Sequence, residues 1–294
     1  MNATIASELF PYESAEFSVG GHTMRYIDQG RGDETILCVH GNPTWSFYYR
    51  RVIERFSASH RVLAVDHLGC GRSDKPSGDG ALYRFASHRD RLVSLIEQLD
   101  LQRVTLLAHD WGGAIGLSAL LKTRPRFNRI MLLNTGAFIP PFIPRRISAC
   151  RIPVLGTLGV RGANLFAGAA VRMAMSRQAL SEHARLGLLA PYNNWANRIA
   201  IDRFVKDIPM NSTHPTYGEL KSLGETLGTL AEMPSLLVWG MRDWCFRPEC
   251  LRRFQSEWPN ATSVEVADAG HYVIEDAPEE TLDAISRFLV ASAD

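Results

Sequence analysis

The sequence predicts an α/β fold: a mostly parallel, eight-stranded sheet with helices on both faces and an inserted helical cap. Short apolar runs that lack polar alternation indicate strands buried on both faces. These runs alternate with helix-like segments as far as residue 136, which implies right-handed crossovers between parallel strands. No comparable run occurs between about residues 137 and 227, and the strand–helix pattern then resumes.

The individual elements follow from periodicity and turn residues. Residues 1–12 predict an arm, and residues 17–19 and 24–27 predict a hairpin across Gly20 and Gly21. The other strands are predicted at residues 35–39, 61–65, 103–107, 129–133, 235–239 and 263–266. Helices are predicted in the aromatic-rich segment ending at Arg55, and over residues 85–99, 114–121 and 278–290.

The strand at 103–107 leads into Ala108-His109-Asp110-Trp111-Gly112-Gly113 and then a helix. A sharp strand-to-helix turn with small residues two positions before and after its centre is typical of a nucleophile elbow. The small residues are Ala108 and Gly112, and the central residue is Asp110. A structural alternative is that Asp110 caps the following helix, because aspartate is a preferred N-cap residue.

An aspartate at this position limits the chemistry. A serine that attacked an sp3 carbon would be trapped as an ether, whereas a carboxylate forms an ester that can be cleaved again. Asp110 therefore suits attack on carbon that bears a leaving group, such as a halide or the oxygen of a strained ring.

Two further residues follow later strands in the order that such an elbow requires. Asp243 lies in the loop after the strand ending at Trp239, and His271 follows the strand ending at Val266. The order nucleophile, acid, histidine predicts that His271 acts as the base and that Asp243 orients it. A lone histidine would more often be structural, but the position and the partner favour catalysis.

Two hydrogen-bond donors are predicted to stabilise negative charge in the site. His40-Gly41-Asn42-Pro43 follows a central strand, and Trp111 follows the nucleophile. The backbone N–H groups of Asn42 and Trp111, together with the side-chain amide and indole N–H, can hold a halide or a ring oxygen. The alternatives are that Asn42 caps the next helix and that Trp111 only packs.

Composition excludes several classes of function. The 294 residues include 32 basic and 31 acidic ones, for a net charge of +1, so the sequence predicts no nucleic-acid partner. The sequence contains no apolar stretch of 18 residues, so we expect no transmembrane helix, and its polar N-terminus lacks a signal-peptide pattern. The five scattered cysteines favour reduced thiols in a cytoplasm, and Cys245 and Cys250 lack the companions that a metal site needs. We expect no cofactor and no metal.

The predicted domains are a first core part at residues 1–136, a helical cap at 137–227 and a second core part at 228–294. The segment from Val154 to Met175 is apolar and rich in glycine, although Arg161 and Arg172 make it too polar to span a bilayer. We expect it to line a pocket for long alkyl chains or to touch a membrane surface.

These motifs resemble the α/β-hydrolase fold and, within it, the haloalkane dehalogenases, over nearly the whole chain. His40-Gly41-Asn42-Pro43-Thr44 and His109-Asp110-Trp111-Gly112-Gly113 carry this resemblance. One dehalogenase subgroup takes its acid from the loop after the strand at 129–133, but this chain has Asn134 there. An Asp-His-Asp triad with an Asn-Trp donor pair matches another subgroup, which overlaps the β-lactone decarboxylases of bacterial long-chain olefin biosynthesis.

Several longer strings are more similar to the decarboxylases. They are residues 42–50, 66–76 and 239–246, with 207–210 and His214-Pro215 in the cap. The resemblance implies a cis-3,4-dialkyl β-lactone that is converted to a cis-alkene and carbon dioxide. It also implies a long-chain hydrophobic substrate and a multienzyme assembly with a β-lactone synthetase, near lipid. Whether Asp110 attacks the ring carbon, attacks the carbonyl or acts electrostatically stays open.

Three other functions remain. A haloalkane dehalogenase would hold halide between Asn42 and Trp111 and activate water with His271. An epoxide hydrolase would need cap tyrosines, for which Tyr192 and Tyr217 are available; its resemblance is weaker because that family usually has a hydrophobic or aromatic residue at the position of Asn42. A ligand-binding or scaffolding protein of the same fold would not need the complete set of Asp110, Asp243 and His271.

Overall fold

An eight-stranded sheet forms the centre of the computed structural model, which describes residues 10–78 and 80–292. The strands are β1 (Ser14–Val19), β2 (His22–Gln29), β3 (Thr35–Val39), β4 (Arg61–Asp66), β5 (Val104–Asp110), β6 (Phe127–Thr135), β7 (Ser235–Gly240) and β8 (Thr262–Val266). They are arranged in the order β1-β2-β4-β3-β5-β6-β7-β8. The pairs β1–β2 and β2–β4 are antiparallel and the other pairs are parallel, so the predicted fold class is confirmed.

The N-terminal hairpin turns at Gly20 and Gly21, which both have positive φ, as a tight two-residue turn requires. Most of the predicted arm, residues 1–9, lies outside the described residues. Phe10 is buried and packs against Trp45 and Phe47. The end of the predicted arm is therefore part of the core.

Every residue of β3 and β5 is buried, because helices cover both faces of the sheet. Three helices precede residue 137: α1 (Arg50–Phe56), α2 (Phe85–Gln98) and α3 (Trp111–Lys122). Three more follow residue 227: Pro248–Glu257, Val273–Asp276 and Pro278–Ala291. A 3₁₀ turn at Ser46–Tyr49 precedes α1. The predicted helices therefore form, with boundaries that differ by a few residues.

A boundary difference of three residues on each side lies at the elbow. The sequence predicts a strand that ends at Leu107 and a helix that starts at Ala114, but β5 continues to Asp110 and α3 starts at Trp111. The chain passes from strand to helix with no connecting loop. Periodicity does not reveal this, because the turn depends on the unusual backbone conformation of a single residue.

Between β6 and β7 the described chain contains helices and turns but no strand. This region comprises α4 (Arg145–Ala149), α5 (Leu155–Thr157), a π-helical turn (Leu158–Gly162), α6 (Leu165–Met173), α7 (Glu182–Leu189), a 3₁₀ turn (Ala196–Arg198), α8 (Ile199–Asp207), α9 (Tyr217–Thr226) and a 3₁₀ turn (Leu227–Leu230). Among the described residues, no helix is both long enough and apolar enough to cross a membrane.

Candidate active site

Asp110 occupies a strained position at the junction of β5 and α3. Its backbone has φ +54° and ψ −130°, a combination that L-residues rarely adopt and that often marks a functional site. Gly112 permits the turn, because a Cβ there would lie 2.0 Å from the carbonyl oxygen of Val39. The hydroxyl of Thr135 also donates a hydrogen bond to the carbonyl oxygen of Asp110.

The Asp110 carboxylate is buried and does not cap the helix that it precedes. Its Oδ1 accepts a hydrogen bond of 2.6 Å from the backbone N–H of Asn42. Gly41 makes room for the carboxylate, since a Cβ on Gly41 would lie 2.0 Å from that same oxygen. The helix-capping alternative is therefore not observed, and the carboxylate faces the turn that follows β3.

The structure brings His271 and Asp243 to the same place as Asp110. Nδ1 of His271 lies 2.8 Å from Oδ2 of Asp243, and Nε2 of His271 lies 3.6 Å from Oδ2 of Asp110. Three residues that are far apart in the sequence thus form a line at the carboxyl ends of the strands. One oxygen of Asp243 also accepts a hydrogen bond of 2.6 Å from the backbone N–H of Cys245.

The pKa values of Asp110 and His271 are set by burial and by neighbouring charges. Burial raises the pKa of Asp110 above its ordinary value, although His271 and the backbone N–H groups of Asn42 and Trp111 oppose this effect. Burial lowers the pKa of His271, but the carboxylates of Asp243 and Asp110 outweigh it and leave that pKa above its ordinary value. The two carboxylates therefore stabilise the protonated form of His271 relative to that of an isolated histidine.

Asn42 and Trp111 both line the cavity above Asp110. Nδ2 of Asn42 donates to the carbonyl oxygen of Ile201 at 3.3 Å, which leaves the second N–H of the amide free for a ligand. The indole N–H of Trp111 has no hydrogen-bond partner in the described part of the chain, and its ring packs near Phe204. Asn42 does not cap a helix, because the next helical turn begins at Ser46 with Trp45 at its N-cap.

A cavity of about 340 Å³ lies between the sheet and the helices that follow β6, with Asp110 and His271 in its wall. Most of its wall is apolar. The main apolar lining residues are Phe138, Phe142, Ile143, Ile147, Leu165, Phe166, Ala169, Ala170, Met173, Val205, Ile208, Leu220, Trp244 and Phe246. Such a cavity favours a hydrophobic ligand, with the few polar groups at the triad to orient it.

The segment from Val154 to Met175 lines this cavity only in its second half. Residues from Leu165 to Ala174 contribute to the wall, whereas none of residues 154–164 does. Val154 and Leu155 are instead 70% and 68% exposed. The expected lining of a cavity is therefore observed only from Leu165 onward, whereas binding of alkyl chains and contact with a membrane surface stay predictions.

Sequence reasoning did not identify several residues that support the site. Asn134 donates from Nδ2 to Oδ2 of Asp243 at 3.0 Å, and its Oδ1 accepts from the backbone N–H of Gly240 at 2.8 Å. Phe246 stacks on the His271 ring, with 5.7 Å between the ring centroids. The only sequence signal for Asn134 was its position after β6, where a carboxylate could have stood.

One of the alternative functions, epoxide hydrolase, receives no support from the positions of its two candidate tyrosines. Tyr192 is buried with its hydroxyl on the carbonyl oxygen of Thr44, and neither Tyr192 nor Tyr217 lines the cavity. An epoxide would therefore find neither of these two hydroxyls beside Asp110. No group of three or more histidine, cysteine or acidic residues with metal-binding geometry occurs within residues 10–78 and 80–292.

Comparison with known proteins agrees with the fold. A sequence profile described as the alpha/beta hydrolase fold matches residues 34–278. The solved structure of haloalkane dehalogenase DpaA from Paraglaciecola agarilytica is 30% identical to the chain, with a TM-score of 0.78 over 95% of this chain and 93% of that one. The chain therefore belongs to the alpha/beta hydrolase fold family, and its relatives identify it as an enzyme.

Within that family the chain is similar to two named groups. It is 38% identical to the cis-3-alkyl-4-alkyloxetan-2-one decarboxylase of Shewanella oneidensis, over 96% of this chain and 89% of that protein. It is 32% identical to haloalkane dehalogenase 2 of Mycobacterium tuberculosis, over 95% of each. The similarity to the decarboxylase is the greater of the two.

Proposed function

We propose that this enzyme converts cis-3,4-dialkyl oxetan-2-ones, which are β-lactones, to cis-alkenes and carbon dioxide in long-chain olefin biosynthesis. The observation that carries the proposal is a buried carboxylate at a strained elbow that faces an apolar cavity. The higher identity to a protein named as such a decarboxylase favours a lactone over a halide. Haloalkane dehalogenase is the second candidate, because the same donors and carboxylate suit halide displacement.

The reaction can begin at the ring carbon that bears the ring oxygen. An oxygen of Asp110 forms an ester bond to that carbon, the carbon–oxygen bond of the ring breaks, and its electron pair moves to the released carboxylate. The side-chain N–H groups of Asn42 and Trp111 stabilise the charge that develops on the oxygens. Attack inverts the ring carbon and leaves the new ester opposite the carboxylate.

The intermediate then fragments. The bond to the carboxylate breaks, its electron pair becomes the second bond of the alkene, carbon dioxide leaves, and Asp110 departs with the electron pair of the ester bond. Inversion followed by this anti fragmentation converts a cis-lactone to a cis-alkene. No water and no net proton are consumed, so His271 serves as a charged partner of the carboxylates and Asp243 holds it in place.

We further propose that residues 137–227 act as a cap domain over the core parts at 1–136 and 228–294, and that the cap supplies the alkyl subsites. We infer a cytoplasmic enzyme, which is supported by five unpaired cysteines. The resemblance also favours a multienzyme assembly with a β-lactone synthetase close to lipid, because both the lactone and the alkene are poorly soluble in water.

The test is to offer the purified enzyme a cis-dialkyl β-lactone, a bromoalkane and an epoxide, each in heavy-oxygen water, and to identify the products. We expect unlabelled cis-alkene and carbon dioxide from the lactone, and little or no bromide from the bromoalkane. Rapid bromide release with no alkene from an authentic cis-lactone would leave dehalogenase as the function.

A second measurement separates the two mechanisms on the enzyme itself. In a dehalogenase, water activated by His271 releases the alkyl ester, so the His271→Ala variant should accumulate an alkyl adduct on Asp110. In the decarboxylase, fragmentation needs no water, so the same variant should form alkene slowly and hold no lasting adduct. Intact-protein mass spectrometry distinguishes these outcomes, with Asp110→Asn as the variant that can form no such ester.

A further inference from the structure

The outer face of the cap carries an exposed apolar surface beside the cavity. Its members are aliphatic and aromatic side chains that would ordinarily be buried in a globular protein. We call it the cap patch: Phe142, Ile152, Val154, Leu155, Leu158 and Leu165, all of them exposed. A contiguous exposed apolar surface commonly marks a site of interaction with a protein or a membrane.

The chain conformation holds this surface outward. The backbone N–H of Leu155 donates to the carbonyl oxygen of Pro153 at 2.7 Å, and Val154 between them has φ +63° and ψ −59°. This is a strained γ-turn, and a β-branched residue is unfavourable at its centre. Leu165 adjoins the same turns, since a Cβ on Gly159 would lie 3.2 Å from its side chain.

The segment of the chain that carries the cap patch has charged side chains of only one sign, and the nearby Asp202, which accepts a hydrogen bond from Thr157, is buried and paired with Lys206. From residue 137 to residue 181 the sequence contains six arginines and no acidic residue. Arg177 is paired with Asp268 and Glu280, but the other five form no ion pair within the described ranges. Those five are Arg145, Arg146, Arg151, Arg161 and Arg172. A surface of apolar side chains with unpaired arginines is complementary to an anionic lipid surface.

An interfacial aromatic residue adjoins the same surface. Trp195 is exposed and lies against Gly162, and the guanidinium of Arg161 lies 4.6 Å from its ring. Tryptophan and arginine are the residues that favour the boundary between headgroups and hydrocarbon. Arg161 and Trp195 therefore add to the cap patch two residues of the kind found at membrane interfaces.

The cavity reaches the surface at the cap patch. Phe142 and Leu165 line the cavity and are also 41% and 59% exposed. Arg146 lines the cavity as well, and the guanidinium of Arg247 lies 3.7 Å from the ring of Phe142. The opening is therefore surrounded by apolar side chains and by cations.

We propose that the cap patch docks on an anionic phospholipid surface and that the cavity then opens into the lipid. A dialkyl lactone could enter without crossing water, and the alkene could return the same way. The delivery of the lactone depends on the proposed function. The docking itself depends only on the exposed side chains and the arginines.

The test uses the whole enzyme and sedimentation with vesicles of phosphatidylethanolamine, with and without phosphatidylglycerol. We expect binding to the anionic vesicles that weakens as salt is added. The double variant Leu155→Ser, Leu158→Ser should bind roughly tenfold more weakly, because two interfacial leucines are lost. Val290→Ser is the matched control, because Val290 is 79% exposed but lies on the core beside Arg55 and Phe56, and it should bind like the unchanged enzyme.

The charge contribution has its own variant. Arg145→Gln with Arg172→Gln should reduce binding to anionic vesicles and make that binding less sensitive to salt. No vesicle binding by the unchanged enzyme, or equal binding by the double-serine variant, would overturn the proposal. So would a concentration-dependent dimer that the double-serine variant abolishes, because the patch would then be covered by a second copy.

Activity on a short-chain, water-soluble lactone separates this proposal from the function. Leu155 and Leu158 do not line the cavity, so the double-serine variant should turn over the soluble lactone at the unchanged rate and lose rate only on a long-chain lactone in vesicles. Vesicle binding without alkene formation from any lactone would overturn the function and leave the docking supported. Alkene formation without vesicle binding would overturn the docking and leave the function supported.

Discussion

Asn134 donates a hydrogen bond of 3.0 Å to Asp243, on the same carboxylate oxygen that binds Nδ1 of His271. Asn134 stands at the end of β6 with φ +28° and is fully buried. Its amide also binds both the N–H and the carbonyl of Gly240. A neutral residue therefore ties the loop that carries the acid to the strand beside the nucleophile.

The Asn134→Ala variant should lose both activity and stability. Removal of the Asn134 amide leaves the buried Asp243 carboxylate and the buried N–H of Gly240 with one hydrogen-bond partner fewer. This should lower the free energy of unfolding by about 1–3 kcal/mol. We expect kcat on the lactone to fall by about tenfold while KM changes little, because Asn134 does not line the cavity. Kinetics and thermal unfolding measure the two effects. Asn193→Ala, in an exposed amide pair, is the control, and a normal kcat in Asn134→Ala would show that Asp243 needs no such support.

The variants Asp110→Asn and His271→Ala should each lower turnover by about 10⁴-fold or more while the fold is retained. The elbow positions Asp110, and Nε2 of His271 lies 3.6 Å from Oδ2 of that aspartate. Asp243→Asn should lose roughly a hundredfold less, because Asp243 orients and does not react. Mass spectrometry must first exclude hydrolysis of the introduced amide back to a carboxylate. Asp268→Asn is the control, because Asp268 is close to His271 in the sequence but exposed, and its turnover should be unchanged. Near-normal activity in a verified Asp110→Asn protein would remove the assignment of Asp110 as nucleophile.

The pH dependence should identify the charge state that the reaction needs. Burial raises the pKa of Asp110, so the rate should fall as pH decreases through a value above the ordinary aspartate pKa. Although burial opposes it, the charge of Asp243 and Asp110 raises the pKa of His271, so the rate should also fall as pH rises through a value above the ordinary histidine pKa. Water activation needs neutral His271 and would give the opposite slope there. A pH–rate profile with the lactone decides between them.

The accepted alkyl length should report the shape of the cavity. Each buried methylene contributes about 0.8 kcal/mol, so the apparent affinity should rise by about fourfold per methylene until the cavity ends. Ala170→Phe, in the wall of the cavity, should shorten the accepted chain. Ala163→Phe, at an exposed position that does not line the cavity, should leave the accepted chain length unchanged. Equal affinity along a homologous series would contradict an alkyl-binding cavity.

Residue pattern and chain order are enough to predict the fold class, most of the strands and the residues of the elbow. Strands such as Thr35–Val39 are recognisable because burial on both faces leaves a continuous apolar run. Asp110, Asp243 and His271 were recognisable because a parallel sheet brings the ends of its strands to one edge, so residue type and chain order suffice. Their catalytic roles remain a proposal, although their proximity is observed.

Which apolar segment lines the cavity and which is exposed follows from packing between distant parts of the chain. Residues 154–164 and 165–174 are similar in composition, yet only the second part lines the cavity. The contact between Asn134 and Asp243 likewise joins residues 109 positions apart. Local pattern reports the conformation of the chain and the side that tends to be buried. Burial itself depends on partners from distant segments, and no local pattern contains them.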